Sequence, residues 1–353
     1  MIFLIGFHLA MRGGGACQIL FVSWTDIFSV MDVDMVGTYQ SEASSREKEA
    51  LAQLFEVEAV HNVRKTGHVV ATGLFWKPAS PGEAEYPQPT EEIMRNPAEH
   101  GLPSRFKNPW VHYVEPVFEA ARHLGEIRPD LVYRVYLGND LSFLIPKLLE
   151  AGCEVYLMKS SSIRHNPGAM WRFLAMEEDC LVTMSDSDRA REMIHDIERT
   201  ELVAEGGLNF WRSPYFFTKR DAVVGSPGGY HTSSAGLMGC AKPLPMRELC
   251  EAFVWCCEKG LMRDHCLLGE RKVPIAEAKW PTFGFDEWFI NAVIHPRVAF
   301  EGGVTFVNWK ATYLNHWFAL DIEYCTWANP KSEIMFWGTP EEKEDGEEDN
   351  ELE

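Results

Sequence analysis

Basic residues are in short supply in this sequence. Lys and Arg number 33 against 52 Asp and Glu, a formal net charge of −19 over 353 residues. Binding along a phosphate backbone needs clustered cations, so the composition argues against nucleic acid as a partner. Metal-type cysteine spacing is missing too. The nine cysteines, Cys153 and Cys180 among them, form no C-x-x-C pair and no zinc-like Cys/His pattern. They read as small buried hydrophobes with free thiols, the alternative being a luminal protein with one or two bridges. A transmembrane span and an internal repeat are also lacking. The opening MIFLIGFHLAM is too short to cross a bilayer and has no basic residue ahead of it. It reads as the start of a poorly ordered or peripheral segment over residues 1–65, which favours a cytoplasmic protein. A degenerate signal anchor, and hence a luminal protein, is the alternative.

What is present suffices for one large core, since 46% of the residues are hydrophobic. The negative charge is concentrated at the C-terminal end, where Glu341 to Glu353 hold nine acids against one lysine. Residues 336–353 read as a solvated, disordered tail. The rest stays acidic, which is compatible with an anionic nucleotide if a divalent cation bridges the two.

Strands and helices alternate along residues 66–335, read as one domain. Ahead of them, Ser44 to Phe55 (SSREKEALAQLF) carries a Ser cap and helical spacing and is expected as a peripheral helix. The first strong strand is His68 to Phe75, stopped by Trp76-Lys77-Pro78. Ala79 to Lys107, rich in Pro, Glu, Asn and Gly, reads as a long loop. Asn108-Pro109 opens a helix with Trp110, Tyr113, Val117 and Ala121 along one face. Leu131 to Leu137 is a second strand, Leu141 to Ala151 a helix and Glu154 to Met158 a third strand. Gly168 to Glu178 is a further helix and Cys180 to Met184 a fourth strand. This alternation predicts an α/β fold with a mostly parallel sheet flanked by crossover helices.

The fourth strand delivers Ser185-Asp186-Ser187-Asp188. Ligands of open parallel sheets sit beyond the carboxyl ends of strands. Two carboxylates one residue apart at such a place can hold a hard divalent ion, Mn²⁺ or Mg²⁺, against a diphosphate. Asp188 equally suits the cap of a helix over Arg189 to Arg199.

The stretch His165 to Asp188, HNPGAMWRFLAMEEDCLVTMSDSD, carries a resemblance. It is similar to the N-P-x-M-x-W-R-F-like helix, strand and D-x-D turn of GT-A-type glycosyltransferases, in particular the bacterial and viral group that builds capsules and decorates glycans. LFWKP at the first strand and Gly284 to Pro296 (GFDEWFINAVIHP) resemble two further segments of that group, so the likeness runs from Val69 to Leu314. Ser185 stands where the group has Arg, and Arg189 where it has Ser. Gly236 to Cys240 matches the group's Gly-Gly-Met-Trp-Gly turn only loosely.

The resemblance implies a GT-A-like, Rossmann-like domain that moves a sugar from a UDP- or GDP-linked donor to a glycan or protein acceptor. It implies Asp188 as the direct metal ligand, Asp186 on the donor ribose or a metal-bound water, and His316 as a further ligand; His231 and His295 are lone histidines of the same half. Trp76, Lys77, Arg172, Gly236 and Gly239 would serve the donor site. Arg172 would either neutralise the acidic pair or grip a phosphate. Asp286 or Glu287 would take the proton of the acceptor hydroxyl, although Asp286 also suits a helix start. Two rival functions stand beside this one. A D-x-D phosphatase would need a Thr that Asp186-Ser187-Asp188-Arg189-Ala190 lacks. A glycosyltransferase-like protein that binds without turnover would keep the fold and lose the chemistry.

Overall fold

The β-branched and aromatic runs become the centre of a sheet. The computed structural model describes residues 35–76, 85–102, 108–160, 167–187, 193–202, 208–212, 236, 238–241, 243–259, 261, 286, 289–294, 304–308 and 333–336. Its strands are β1 Val57–His61, β2 His68–Leu74, β3 Val132–Leu137, β4 Glu154–Met158, β5 Leu181–Met184, β6 Leu208–Arg212, β7 Met238–Cys240, β8 Val304–Asn308 and β9 Glu333–Phe336. They form one sheet in the order β1-β4-β3-β2-β5-β7-β6-β8-β9.

The protein is α/β, as the alternation predicts, but the sheet is mixed. β2, β3, β4 and β5 run parallel, with Val70 beside both Tyr133 and Thr183. β1 is antiparallel to β4, and β7 is antiparallel to both β5 and β6. The expectation of a mostly parallel sheet is corrected here, because the regular strand-and-helix alternation holds only from β2 to β5.

Helices cover both faces. On one face lie α3 (Glu91–Arg95), α4 (Glu115–Ile127), α5 (Ile145–Glu150) and α6 (Met193–Leu202), packed on Val70, Leu74, Tyr133, Val135 and Val155. On the other lie α1 (Met35–Glu42), α2 (Ser45–Leu54), a 3-10 segment (Pro167–Glu177) and α7 (Met246–Glu258), packed on Val69, Ala71, Tyr136, Val182 and Met184. The period of two along β2, β3, β4 and β5 divides their side chains between these two cores.

The winding changes direction within the parallel set. From β2 the chain crosses over α3 and α4 to β3, and over α5 to β4, moving outward on one face. It then returns through Pro167–Glu177 on the opposite face and lands on the far side of β2 as β5. Counted from β2, the parallel strands therefore stand in the order 3-2-1-4, and the crevice of such a sheet opens beyond the carboxyl ends of strands 1 and 4.

Residues 35–61 belong to the body, a correction to the peripheral segment expected over residues 1–65. Tyr39, Leu51 and Phe55 are buried in the same core as α7, and Val60 of β1 pairs with Tyr156. Ser44 caps α2 in a reciprocal box with Glu47. The indole of Trp171 then donates to the Leu54 carbonyl at 2.7 Å, tying α2 to the 3-10 segment.

Two other expectations change. The long loop over Ala79 to Lys107 contains α3, capped by Thr90, and a 3-10 turn at Pro97–His100. The helix opening at Asn108-Pro109 begins with a π turn at Trp110–Val114 before α4. One extra residue per turn rotates the face, so Val114 is buried with Trp110, Val117 and Ala121 while Tyr113 is exposed. Among the described residues no helix is long and apolar enough to cross a membrane.

Candidate functional site

β5 ends at Met184, and the next two residues turn at the mouth of the crevice. The Ser185 amide still donates to the Ala71 carbonyl at 2.9 Å, so the strand pairing holds up to the turn. Alternation then points Asp186 to the face that carries the 3-10 segment.

Arg172 of that segment reaches it. Arg172 is 6% exposed. Its Nη1 donates to Asp186 Oδ1 at 2.5 Å and to the Ser185 carbonyl at 3.1 Å, while Nη2 donates to Asp286 Oδ2 at 2.7 Å. One planar fork thus joins the 3-10 segment to the turn after β5 and to Asp286, 114 residues beyond Arg172. Asp286 comes within reach because Phe289, on the same turn, packs on Phe173 and Phe253 with ring centroids 5.8 and 5.2 Å apart.

Gly236 closes the other side of Asp186. In the β5–β7 ladder Val182 faces Cys240 and Thr183 faces Gly239, a register that, continued, sets Gly236 opposite Asp186. A Cβ on Gly236 would lie 1.9 Å from Asp186 Oδ2. The close approach expected at this glycine therefore occurs, and the approaching group is the carboxylate of the acidic turn.

The expected site residues separate as follows. Asp186, Arg172, Asp286 and Gly236 come together. Gly239 does not line a loop; it is a buried residue of β7 paired with Thr183 and Asn209. Trp76 is 8% exposed and packs in the core under α3 and α4. The apolar face of β2 that buries Val70 and Leu74 continues into this ring. Lys77, Asp188, Glu287 and His316, with His231, His295 and Arg189, lie outside the described residues. Asp140 was not singled out by sequence. It follows β3 at the same edge of the sheet, and burial raises its carboxyl to about 6 while its own amide and that of Leu141 pull the other way. Gly138-Asn139-Asp140, the stop signal of that strand, was the available clue.

Among the described residues no three His, Cys, Asp or Glu side chains converge on one point. Asp186 offers carboxylate oxygen on a side chain that is 38% exposed, the donor chemistry of a hard divalent cation. With Oδ1 on Arg172, it suits an outer position, reaching such an ion through water. A groove of about 600 Å³ between α1, α2 and α7 includes none of these residues. Its polar groups answer one another, Tyr39 donating to Glu251 and Lys48 to the Gln40 carbonyl. Compared with known protein families, curated proteins and solved structures, the chain matches none.

Proposed function

We propose that this chain is a metal-dependent glycosyltransferase with a GT-A-like domain, taking a UDP- or GDP-linked sugar donor and a glycan or protein hydroxyl as acceptor. The observation that carries the reading is the acidic turn at the carboxyl end of the fourth parallel strand in a 3-2-1-4 sheet, where nucleotides sit in doubly wound folds. Charge supports the need for a cation. Arg172 is shared between Asp186 and Asp286, which leaves this cluster one negative charge in excess. An anionic diphosphate is repelled there unless a cation accompanies it.

Mn²⁺ or Mg²⁺, held by Asp188 directly, by His316 and through water by Asp186, would neutralise the charge growing on the departing diphosphate. The chain's own residues do the rest. Arg172 on one side and the close approach of Gly236 on the other fix the Asp186 carboxylate at the mouth of the crevice. Asp286, with Oδ2 on Arg172, or Glu287 beside it, takes the acceptor's proton as the acceptor oxygen bonds to the sugar and the sugar-to-phosphate bond breaks.

Calorimetric titration with UDP and GDP, each with and without Mn²⁺, tests the reading on wild type and Asp188→Ala. Micromolar binding of one nucleotide that needs both Mn²⁺ and Asp188 is expected. Absence of binding under every condition rejects the donor site. Turnover of the matching nucleotide sugar then separates a transferase from a protein of the same fold that binds and does not react.

Gly236→Ala bears on the same site from the opposite side. The new methyl must displace the Asp186 carboxylate from its present place, and a misplacement of about 1 Å costs up to about a hundredfold at a reacting centre. Nucleotide affinity in the presence of Mn²⁺ is expected to fall about tenfold with far-ultraviolet circular dichroism unchanged. Wild-type affinity in this variant would show that the position of Asp186 is immaterial.

A further inference from the structure

Toward the amino-terminal ends of β2 and β5, on the face turned away from Asp186, a chain of polar contacts runs through the interior. His68, 3% exposed, opens β2. Its Nδ1 stands 3.2 Å from Glu201 Oε1 and its Nε2 stands 2.8 Å from the Thr183 hydroxyl. That hydroxyl is 2.7 Å from the Thr200 hydroxyl, which is 2.8 Å from the Asp196 carbonyl. Thr200, Glu201 and Asp196 all belong to α6.

Counting protons fixes what each charge state can do. The two ends of the chain, the Glu201 carboxylate and the Asp196 carbonyl, only accept. Glu201 is kept ionised by Arg128, whose Nη2 lies 2.7 Å from it, and Arg128 in turn holds Asp130 at 2.8 Å. Four contacts therefore need four donated protons. A neutral imidazole and two hydroxyls supply three, whereas an imidazolium and two hydroxyls supply all four. With the ring neutral, Nδ1–H must serve Glu201, Thr183 must donate back to Nε2, and Thr200 must choose between Thr183 and Asp196. With the ring charged, Nε2–H donates to Thr183, Thr183 to Thr200 and Thr200 to Asp196.

We propose that His68 is a proton-operated latch between the sheet and α6, in which one added proton turns the Thr183 hydroxyl from His68 toward Thr200 and commits the Thr200 hydroxyl to the Asp196 carbonyl. The helix it holds is the one that follows the Ser185–Asp188 segment, and Thr183 stands three residues before Asp186 on β5. The latch rests on this geometry alone and is independent of the donor reading.

The groups facing the ring are Glu201 from α6 and Arg128 and Asp130 from the turn between α4 and β3. Burial holds the ring's pKa below its ordinary 6.5; the bond and charge of Glu201 oppose that, Arg128 adds to it, and Asp130 opposes it. The cost of burying the charge outweighs the bonds it completes, so the folded value lies below the unfolded one and protonation lowers global stability even as it closes this chain of contacts. The stability contributed at neutral pH is lost as pH falls from about 6.5 through the folded pKa.

The test is the NMR titration of the His68 ring in the full chain, assigned with His68→Gln and repeated in Thr200→Val and Thr200→Ser. Thr200→Val removes the last link, so the charged ring strands the Thr183 proton. Its midpoint is expected to drop by about 0.7 of a pH unit, roughly fivefold weaker proton binding, with Thr200→Ser at the wild-type value. An unchanged midpoint in Thr200→Val overturns the latch. Should that variant fail to fold, the wild type carries the test: the Asp196 carbonyl resonance must titrate with the His68 midpoint, and a silent carbonyl overturns the proposal.

Discussion

Arg172→Met is expected to lower the unfolding free energy by about 3–5 kcal/mol, the range for removing one partner of a buried ion pair. Most of this comes from Asp286, whose side chain is 13% exposed and is left without its cation. Asp186 contributes little to the loss because its side chain is 38% exposed and solvent screens it. Arg172→Lys is expected to recover only part, since an ammonium cannot fork to two carboxylates and a carbonyl as a guanidinium does. Arg172→Met combined with Asp286→Leu should regain much of the stability, because no buried charge then stands alone. Urea titrations of these variants decide the matter. A loss below about 1 kcal/mol in Arg172→Met would mean that the fork does not hold the crevice together.

Arg134→Met is expected to lose a similar 3–5 kcal/mol for the same physical reason in a different place. Arg134 is 3% exposed and donates to Glu154, itself 0% exposed, at 2.5 Å, and it also pairs with Glu178. Its guanidinium lies 4.3 Å from the Tyr156 ring centre, a cation–π contact that the methionine forfeits. The two arginines differ in what else should follow. Arg134 sits on β3 facing Pro167–Glu177, and its partners Glu154, Glu178 and Tyr156 lie apart from the Arg172, Asp186 and Asp286 cluster among the described residues. If the proposed donor site is correct, Arg134→Met, studied well below its lowered melting point, should keep the wild-type response to nucleotide and Mn²⁺, whereas Arg172→Met should lose it. Equal binding losses in both would show that affinity simply follows global stability.

The sequence made the parallel half of the fold legible and obscured its flanks. HVVATGL, VYRVYL, EVYLM and LVTM are apolar or aromatic over a strand's length, and each formed a strand. β1, VEAVH, alternates partly buried with exposed residues at the sheet's edge, so no continuous apolar run announces it. β7 has three residues, MGC, one of them glycine, and gains its structure from Thr183 and Asn209 on either side. α1 buries only Tyr39 of its eight residues, so it shows no apolar stripe. Pro167–Glu177 was legible as helical but not as 3-10: its apolar residues cover nearly every position, leaving no polar face to reveal the pitch. At the site, the acidic turn was legible from its place after an apolar strand. The pairing of Arg172 with Asp286 joins positions 114 residues apart, and no local pattern records it.

The place of β7 bears on how the chain is made. Translation delivers β5, then β6, and only afterwards the strand that must lie between them. From Met184 until Met238 leaves the ribosome, the growing polypeptide presents one side of β5 with its amides and carbonyls unclaimed, an invitation to pair with a neighbouring nascent chain. At about 5–20 residues per second that interval lasts roughly three to ten seconds. The late insertion of a three-residue strand thus leaves β5 open to a wrong partner during synthesis, a hazard that equilibrium stability does not record.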